Sequence, residues 1–451
     1  MSPARRYDLV IVGAGLVGGL LAAEATSRGR TVALIEAGRR FEFANRPAQI
    51  RDRQIMGVPT WQYAHAERDR FTDSSADSIG YPYQLESHRL KGVGGSTLHW
   101  GARINRLLPT DFHTASLFGT GVDWSLSYDD LEPYYCRADW ELGVSGTHHP
   151  AQPQRSRDYP NPGFPVTVDD AMWQPVAERL GIQVYPTSFA INSRPYGGRG
   201  RCVAMSSCEA CPSGARYSAD VHVARAERSG LCDLFTNTVA RKIDLSASAS
   251  VQAIHVSTLD HQEREISGRN YVVAAHAVES ARLLLLSNCG NHSDQVGRNF
   301  MEHPYVYTNG HLPTRRFYPG RVGYEVLECL SYYYGADRRE TGAVKIEFVF
   351  SDRDPLGEME RRHIWGKALA RYDRANFGHW VGIAAETEHQ PNPESRVSLD
   401  PAVKDLFGDP VPHIHLAFSE IDHRTQQRAR EVSHGLMGAA GVKDSVHDPQ
   451  G

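Results

Sequence analysis

The stretch Tyr7 to Gly38, YDLVIVGAGLVGGLLAAEATSRGRTVALIEAG, leaves this chain few folds to choose from. Leu9 to Val12 is an apolar, mostly β-branched run, which suits a strand buried on both faces of a parallel sheet. Gly13-Ala14-Gly15-Leu16-Val17-Gly18 follows as a GxGxxG, then a Leu/Ala-rich helix, then a second apolar run, Thr31 to Ile35, ending in Glu36. Each glycine has its own job in such a unit. Gly13 makes the tight turn, Gly15 lets backbone approach a pyrophosphate, and Gly18 lets the helix pack closely on the strand. The helix N-terminus offers unpaired N–H groups and a positive dipole end. Glu36 sits where a carboxylate can accept hydrogen bonds from an adenosine ribose. A dinucleotide site is expected here.

At 451 residues the chain is long for one core, so two or three domains are expected. A net charge of −4 with no basic block argues against nucleic acid as a partner. No run of about 20 apolar residues is present, so no transmembrane segment is expected. The segment before Tyr7 is too short and too polar for a signal peptide. Cytoplasmic residence is therefore expected, with a periplasmic or membrane-associated place only if a partner subunit carries the chain out. Of seven cysteines, Cys136, Cys232, Cys289 and Cys329 are scattered and read as buried small hydrophobes, while Cys202, Cys208 and Cys211 are clustered.

Beyond Gly38 the chain is polar and irregular to about Leu90. The loop Lys91-Gly92-Val93-Gly94-Gly95-Ser96-Thr97-Leu98-His99-Trp100 then permits close approach of backbone to a flat ligand and sets an imidazole and an indole beside it. Asp123 to Tyr135 reads as a turn feeding an acid-rich helix start, and Val144 to Pro165 as a surface connection. Asp169 to Leu180 and Tyr217 to Ser229 have helical spacing. Val251 to Val256 and Glu263 to Ser267 form a hairpin pattern. Tyr271 to Ala275 is a buried strand feeding a helix from Glu279 to Leu286. From Pro304 onward the pattern changes to separated strands, at 345–350, 380–387, 396–399 and 413–418, as in an antiparallel sheet. A long helix over 421–440 follows.

Taken together these pieces resemble the glucose–methanol–choline (GMC) flavoprotein oxidoreductases. The matching segments are GAGLVGG with Glu36, VGGSTLHWGA, GVDWSLSYDDLEPYY, YVVAAHAVESARLLLLS, and Val296 to Pro304, VGRNFMEHP. The resemblance implies an α/β chain, α+β overall, with a Rossmann-like FAD-binding domain and an antiparallel substrate sheet that covers the flavin. It implies FAD-binding parts at 1–165 and 215–303, a Cys-rich loop region at 166–214, a substrate domain at 304–420, and a helix and tail at 421–451 returning to the FAD domain. It implies cofactor contacts at Gly13, Gly15, Gly18, Glu36, Gly94, Gly95, Ser96, His99, Trp100, Val239, Ala275, Glu279 and Asn299. The activity implied is oxidation of a sugar or polyol hydroxyl by hydride transfer to FAD.

Within the family, Asn192 to Tyr196 with Cys202-x5-Cys208-x2-Cys211-Pro212 resembles the catalytic subunits of bacterial FAD-dependent glucose and fructose dehydrogenases. There the three cysteines hold a [3Fe–4S] cluster, and a small accessory subunit and a cytochrome c subunit complete the assembly. Three thiolates from a short Gly/Ser-rich loop suit such a cluster. Zinc with His222 as a fourth ligand, a disulfide, and a cluster-free soluble glycoside dehydrogenase are the alternatives. His99 also resembles the position of covalent flavin attachment in pyranose oxidases, but non-covalent FAD is expected. The family's catalytic histidine is expected beyond Gly451, which makes this chain resemble a subunit without its last segment. It would then be half of a split enzyme or an inactive remnant. His447 and Glu388 are the candidates for catalysis within the chain, and His99 and His303 are further histidines to test.

Overall fold

The computed structural model describes residues 5–43, 75–76, 89–167, 170–203, 211–314, 326–349, 362–376 and 378–447. Two compact units divide the chain. The first comprises Met1–Gly101, Glu209–Phe300 and Asn392–Ala417, the second Ala102–Cys208, Met301–Pro391 and Phe418–Gly451.

The first unit is built on a parallel sheet in the order Gly268–Val273, Tyr7–Val12, Val32–Ile35, Cys232–Phe235. Every residue of Val32–Ile35 is buried, as a strand covered on both faces requires. Helix Leu16–Ser27 leaves the first strand through the glycine loop. It crosses helix Asp220–Arg228 closely enough that a Cβ on Gly19 would lie 3.1 Å from Val223. Thr238–Leu245, Val251–Thr258 and Glu263–Ile266 form the antiparallel three-stranded sheet whose last two strands the sequence marks as a hairpin.

Strands Arg396–Lys404 and Pro410–His415 were expected with the substrate sheet, but they group with this first unit. The reason lies in side chains. Buried Arg282, on helix Ala277–Leu286, donates to the Pro410 carbonyl at 2.9 Å and to Asp405 at 2.6 Å. The Val397 N–H also reaches the Gly297 carbonyl at 2.8 Å.

The second unit is a six-stranded antiparallel sheet in the order Val446–His447, Tyr305–His311, Trp380–Thr387, Val344–Val349, Leu327–Cys329, Tyr185–Pro186. Strand alternation splits its side chains between two faces. Val344, Ile346, Phe348, Val381, Ile383 and Ala385 turn to one core with Trp173, Leu436 and Met437 of helices Trp173–Leu180 and Glu420–Ala439. Burial of each large aliphatic there is worth about 1.5–3 kcal/mol.

Residues 102–165 pack with this unit rather than with the glycine loops. Helix Tyr128–Leu142 starts on a Ser127–Asp130 capping box. Val144 to Pro165 is not the surface connection its composition suggests. Val144, Ser145 and Asn161 are buried, Ser145–Gly146 pairs with Asn161–Pro162, and the Ser145 hydroxyl donates to the Ile191 carbonyl at 2.6 Å. Of the four scattered cysteines, Cys136, Cys232 and Cys329 are buried and Cys289 is half-buried.

Candidate functional site

In the first unit the two glycine loops face each other. Gly13 has φ +101°, and a Cβ there would stand 2.4 Å from the Ala274 carbonyl oxygen. A Cβ on Gly18 would stand 1.9 Å from the Gly13 carbonyl oxygen, so these two glycines are fixed by the fold itself. Gly15 is different. Its nearest neighbour would be the Gly95 Cα at 3.9 Å, so it opens onto space rather than onto protein. The second loop, with Gly94 at φ +110° and Gly95 at φ +55°, is tied to the first by a Gly94 N–H bond to the Ala14 carbonyl at 2.9 Å.

Helix Leu16–Ser27 has no side-chain N-cap and no acid in its first turn. Its free N–H groups and dipole therefore remain available to an anion.

Glu36 ends the second strand, buried at 6% exposure. One oxygen accepts the Ala14 N–H at 2.9 Å and the other the Gly38 N–H at 2.9 Å. Burial pushes its carboxyl up to about 7, against the pull of these bonds and of Lys91.

Glu36 lines a cavity of 480 Å³ together with Gly13, Gly15, Gly95, Ser96, Val239, Ala275 and Leu283. Glu279 lines it too. Burial alone would raise the Glu279 pKa, but Lys91 at 3.4 Å, Arg89, and Arg282 at 3.5 Å outweigh it and hold the carboxyl well below the usual range.

Arg89 and Arg282 are cavity residues that the sequence reading missed. Their only signal is a position beside matched motifs, in HRLKG and ESARLL. Arg89 is 2% exposed, and its Nε and Nη2 make no hydrogen bond. A cradle without side chains, an uncapped helix start and a buried guanidinium with two unpartnered nitrogens together fit a nucleotide diphosphate, so the site accommodates the ADP half of FAD.

His99 and Trp100 follow one 3₁₀ turn, Gly95–Leu98, and lie outside the residues lining this cavity. Trp100 Nε1 donates to the Tyr217 carbonyl at 2.9 Å, and Arg216 binds the carbonyls of Leu98 and Trp100, which fixes the loop's exit. Asn299, with φ +56°, is likewise not among the lining residues.

Of the clustered cysteines, Cys208 lies outside the described residues. Cys202 belongs to the second unit, its N–H bonded to the Asn192 carbonyl at 2.8 Å. Cys211 is buried in the first. Burial alone would raise its thiol, but the Arg216 N–H at 3.4 Å and the Ser213 hydroxyl at 3.6 Å hold it below its ordinary value. His222, the fourth ligand of a zinc alternative, engages the Tyr217 hydroxyl through Nδ1 at 2.6 Å. Among the described residues no three His, Cys, Asp or Glu side chains gather to hold a metal.

The second unit carries a different site. On the sheet face opposite the apolar core, Lys345 stands between Glu347 at 2.7 Å and Glu386 at 3.0 Å. Arg103 approaches Glu347 at 3.4 Å. Glu328, directly across from Glu347, accepts from Thr187 at 2.7 Å and Asn105 at 3.0 Å. Burial would lower the Lys345 pKa, but Glu347 and Glu386 outweigh it and raise it. Glu386 in turn is brought down to about 2 by His303 and Lys345, against its burial.

Glu388, one of the two catalytic candidates, is engaged elsewhere. Its Oε2 accepts from Arg338 at 2.9 Å and from the Ala343 N–H at 2.8 Å. His447, the other, sits on the sheet's edge strand with Nδ1 at 2.9 Å from the Thr308 hydroxyl and its ring against His434.

Comparison with known proteins gives a consistent picture. The family model described as GMC oxidoreductase matches residues 91–305. The fructose dehydrogenase large subunit of Gluconobacter japonicus is 29% identical, over 96% of this chain and 84% of that protein. The 6'''-hydroxyparomomycin C oxidase of Streptomyces lividus is 30% identical, over 68% of this chain and 56% of that one. Among solved structures, a variant of formate oxidase from Aspergillus oryzae RIB40 superposes with a TM-score of 0.64 at 16% identity, covering 99% of this chain and 84% of that one.

Proposed function

The chain belongs to the GMC oxidoreductases, and from that premise we propose that it is an FAD-dependent dehydrogenase oxidising a hydroxyl of a sugar or polyol. The observation that carries the reading is the cradle of Gly13, Gly15 and Gly95, with Glu36 buried at its rim and two nitrogens of Arg89 unpartnered beside it. When bound, FAD supplies the hydride acceptor.

The chain's own residues do the rest. Gly15 and Gly95 admit the pyrophosphate, and the start of helix Leu16–Ser27 offsets its charge. Glu36 accepts from the ribose hydroxyls. Val239, Ala275 and Leu283 supply apolar wall to the same cavity. A substrate of the sugar class is supported by the similar proteins, one a fructose dehydrogenase and one an oxidase of 6'''-hydroxyparomomycin C.

A [3Fe–4S] cluster on Cys202, Cys208 and Cys211 belongs to this proposal as the electron exit. It is supported by the spacing of the three cysteines and by the neighbours that hold the Cys211 thiol below its ordinary value. A dedicated acceptor, with accessory and cytochrome subunits, is supported by the fructose-oxidising relative being a large subunit.

The test is anaerobic. Protein reconstituted with FAD is mixed with a panel of aldoses, ketoses and polyols while the flavin absorbance near 450 nm is followed (about 450 nm being the oxidised flavin band). Bleaching by at least one polyol is expected, and none with bound FAD would sink the reading. About three irons per chain are expected from metal analysis.

A further inference from the structure

We infer that His276 is a cofactor-binding residue, a strained helix cap whose imidazole donates through Nε2 to a phosphate oxygen of the bound dinucleotide. The inference rests on the FAD reading above and adds a residue to that cavity.

The backbone is the first sign. His276 has φ +67° and ψ 156°, a conformation that glycine adopts freely and other residues rarely adopt. Gly13 at φ +101° and Gly95 at φ +55° line the same cavity, and there the positive φ falls on glycine. At 276 the chain carries an imidazole instead. Neighbours on both sides hold it in place. The Ala274 N–H donates to the Val12 carbonyl at 2.8 Å, and the Ala275 N–H to the Ser280 hydroxyl at 3.1 Å. The His276 carbonyl accepts the Ser280 N–H at 2.9 Å. Strain of this kind persists where its surroundings fix it, and it gathers at ligand sites.

The side chain is the second sign. The Val278 N–H donates to His276 Nδ1 at 3.3 Å, capping helix Ala277–Leu286. A ring nitrogen that accepts carries no proton, so the neutral imidazole bears its proton on Nε2 and donates from there. His276 itself lines the cavity. The two residues before it abut the glycine loop: a Cβ on Gly13 would stand 2.4 Å from the Ala274 carbonyl oxygen and 3.0 Å from the Ala275 Cα. The imidazole therefore enters the cavity beside the loop that admits the pyrophosphate.

Electrostatics explains why a side chain is needed there. Both helix starts line the cavity, but only that of Leu16–Ser27 is without an acid in its first turn. Glu279 takes up the dipole of helix Ala277–Leu286, and its own charge is answered by Arg89, Lys91 and Arg282. A phosphate beside this second start is served by a side-chain donor rather than by the backbone, and the imidazole supplies one.

The experiment titrates apo protein with FAD, ADP and adenosine by calorimetry, for wild type, His276→Gly and His276→Asn, and melts each apo form. Glycine suits the backbone and is a fair N-cap, while asparagine keeps an acceptor for the Val278 N–H, and neither carries Nε2. Both variants should lose about 10- to 100-fold in affinity for FAD and ADP and less than about twofold for adenosine, the loss expected for one hydrogen bond to a charged oxygen. Apo His276→Gly should melt at or above the wild-type temperature. In nitrogen NMR of histidine-labelled protein, the His276 signals, identified by their absence from His276→Asn, should show the Nε2–H tautomer and should shift with ADP but not with adenosine. A residue that only caps the helix gives the reverse, with affinities unchanged and His276→Gly melting lower, and that result overturns this inference alone. Equal losses for adenosine and ADP overturn the phosphate contact. A wild type that binds neither FAD nor ADP overturns the FAD reading and this role with it.

Discussion

The cradle of the first unit and the polar sheet of the second unit solve opposite problems. The cradle is made by leaving things out: no Cβ on Gly15 or Gly95, no cap on helix Leu16–Ser27, no partner for two nitrogens of Arg89. The polar sheet is made by filling every position, with Lys345, Glu347, Glu386 and Glu328 each bonded to a named neighbour. A site built by omission costs the apo fold little to alter and the ligand much. A site built from buried charge reverses that.

Lys345→Met should have the largest effect on stability. It leaves Glu347 and Glu386 buried without their shared cation, and breaking a buried pair in this way costs about 3–5 kcal/mol. The second unit should melt well below wild type in thermal and urea unfolding. FAD binding by any molecules still folded should be unchanged, since Lys345 lies in the second unit and the cradle in the first. A mutant as stable as wild type would remove the contrast between the two regions.

Gly15→Val is the converse. A side chain at Gly15 meets only the Gly95 Cα at 3.9 Å, so the apo fold should keep its stability within about 0.5 kcal/mol. FAD affinity, read by quenching of flavin fluorescence, should fall more than about 100-fold, on the order of 3 kcal/mol. Gly18→Val is the control that loses both, because its Cβ would collide with the Gly13 carbonyl.

The same contrast decides what could be read from the sequence. Gly13, Gly15, Gly18 and Glu36 lie within one βαβ passage, so local spacing is enough to place them. The Gly94–Gly95 loop was legible for the same reason. The polar sheet draws Lys345, Glu386, Glu328 and His303 from four separate segments, and only strand register brings them together. A trace was present in Val344–Val349, VKIEFV, where charged and apolar residues alternate, but period two marks a face and not its partners. Strands Arg396–Lys404 and Pro410–His415 were legible as strands and not as members of the first unit, because Arg282 decides that from a helix more than a hundred residues away in sequence. Glu388 and His447 drew attention by residue type, and each is spoken for by a neighbour that the sequence does not reveal.

A smaller effect separates folding from binding within the cradle itself. Glu36 is raised from 4.5 to about 7 by burial, so between those pH values the folded chain holds a proton that the unfolded chain has lost. Stability from this group is therefore present below about pH 4.5 and lost as pH rises through about 7, by up to about 3 kcal/mol. Ribose hydroxyls donate to the ionised carboxylate, so FAD affinity should run the other way and rise across the same range. Melts of apo protein and FAD titrations from pH 5 to 8, on wild type and Glu36→Gln, read both slopes. Parallel slopes would show that Glu36 does not meet the ribose.

The smallest effect compares two helix starts. Ser419 caps helix Glu420–Ala439: its hydroxyl accepts the Asp422 N–H at 3.3 Å, and Asp422 returns a bond to the Ser419 N–H at 2.6 Å. Asp422 is buried and also accepts the Gln390 N–H at 2.8 Å, so this cap ties the helix to the segment following strand Trp380–Thr387. Helix Leu16–Ser27 has no such cap. Ser419→Ala removes one acceptor from the second unit and should cost about 1 kcal/mol, seen as a small drop in melting temperature with FAD affinity unchanged. Gly15→Asp places a capping carboxylate at the uncapped helix. It should leave apo stability equal or slightly higher and abolish FAD binding, because the new carboxylate takes the N–H groups the pyrophosphate needs and repels its charge. If Gly15→Asp bound FAD as well as wild type does, the helix start would not be the phosphate site, and its missing cap would be a plain defect of the fold.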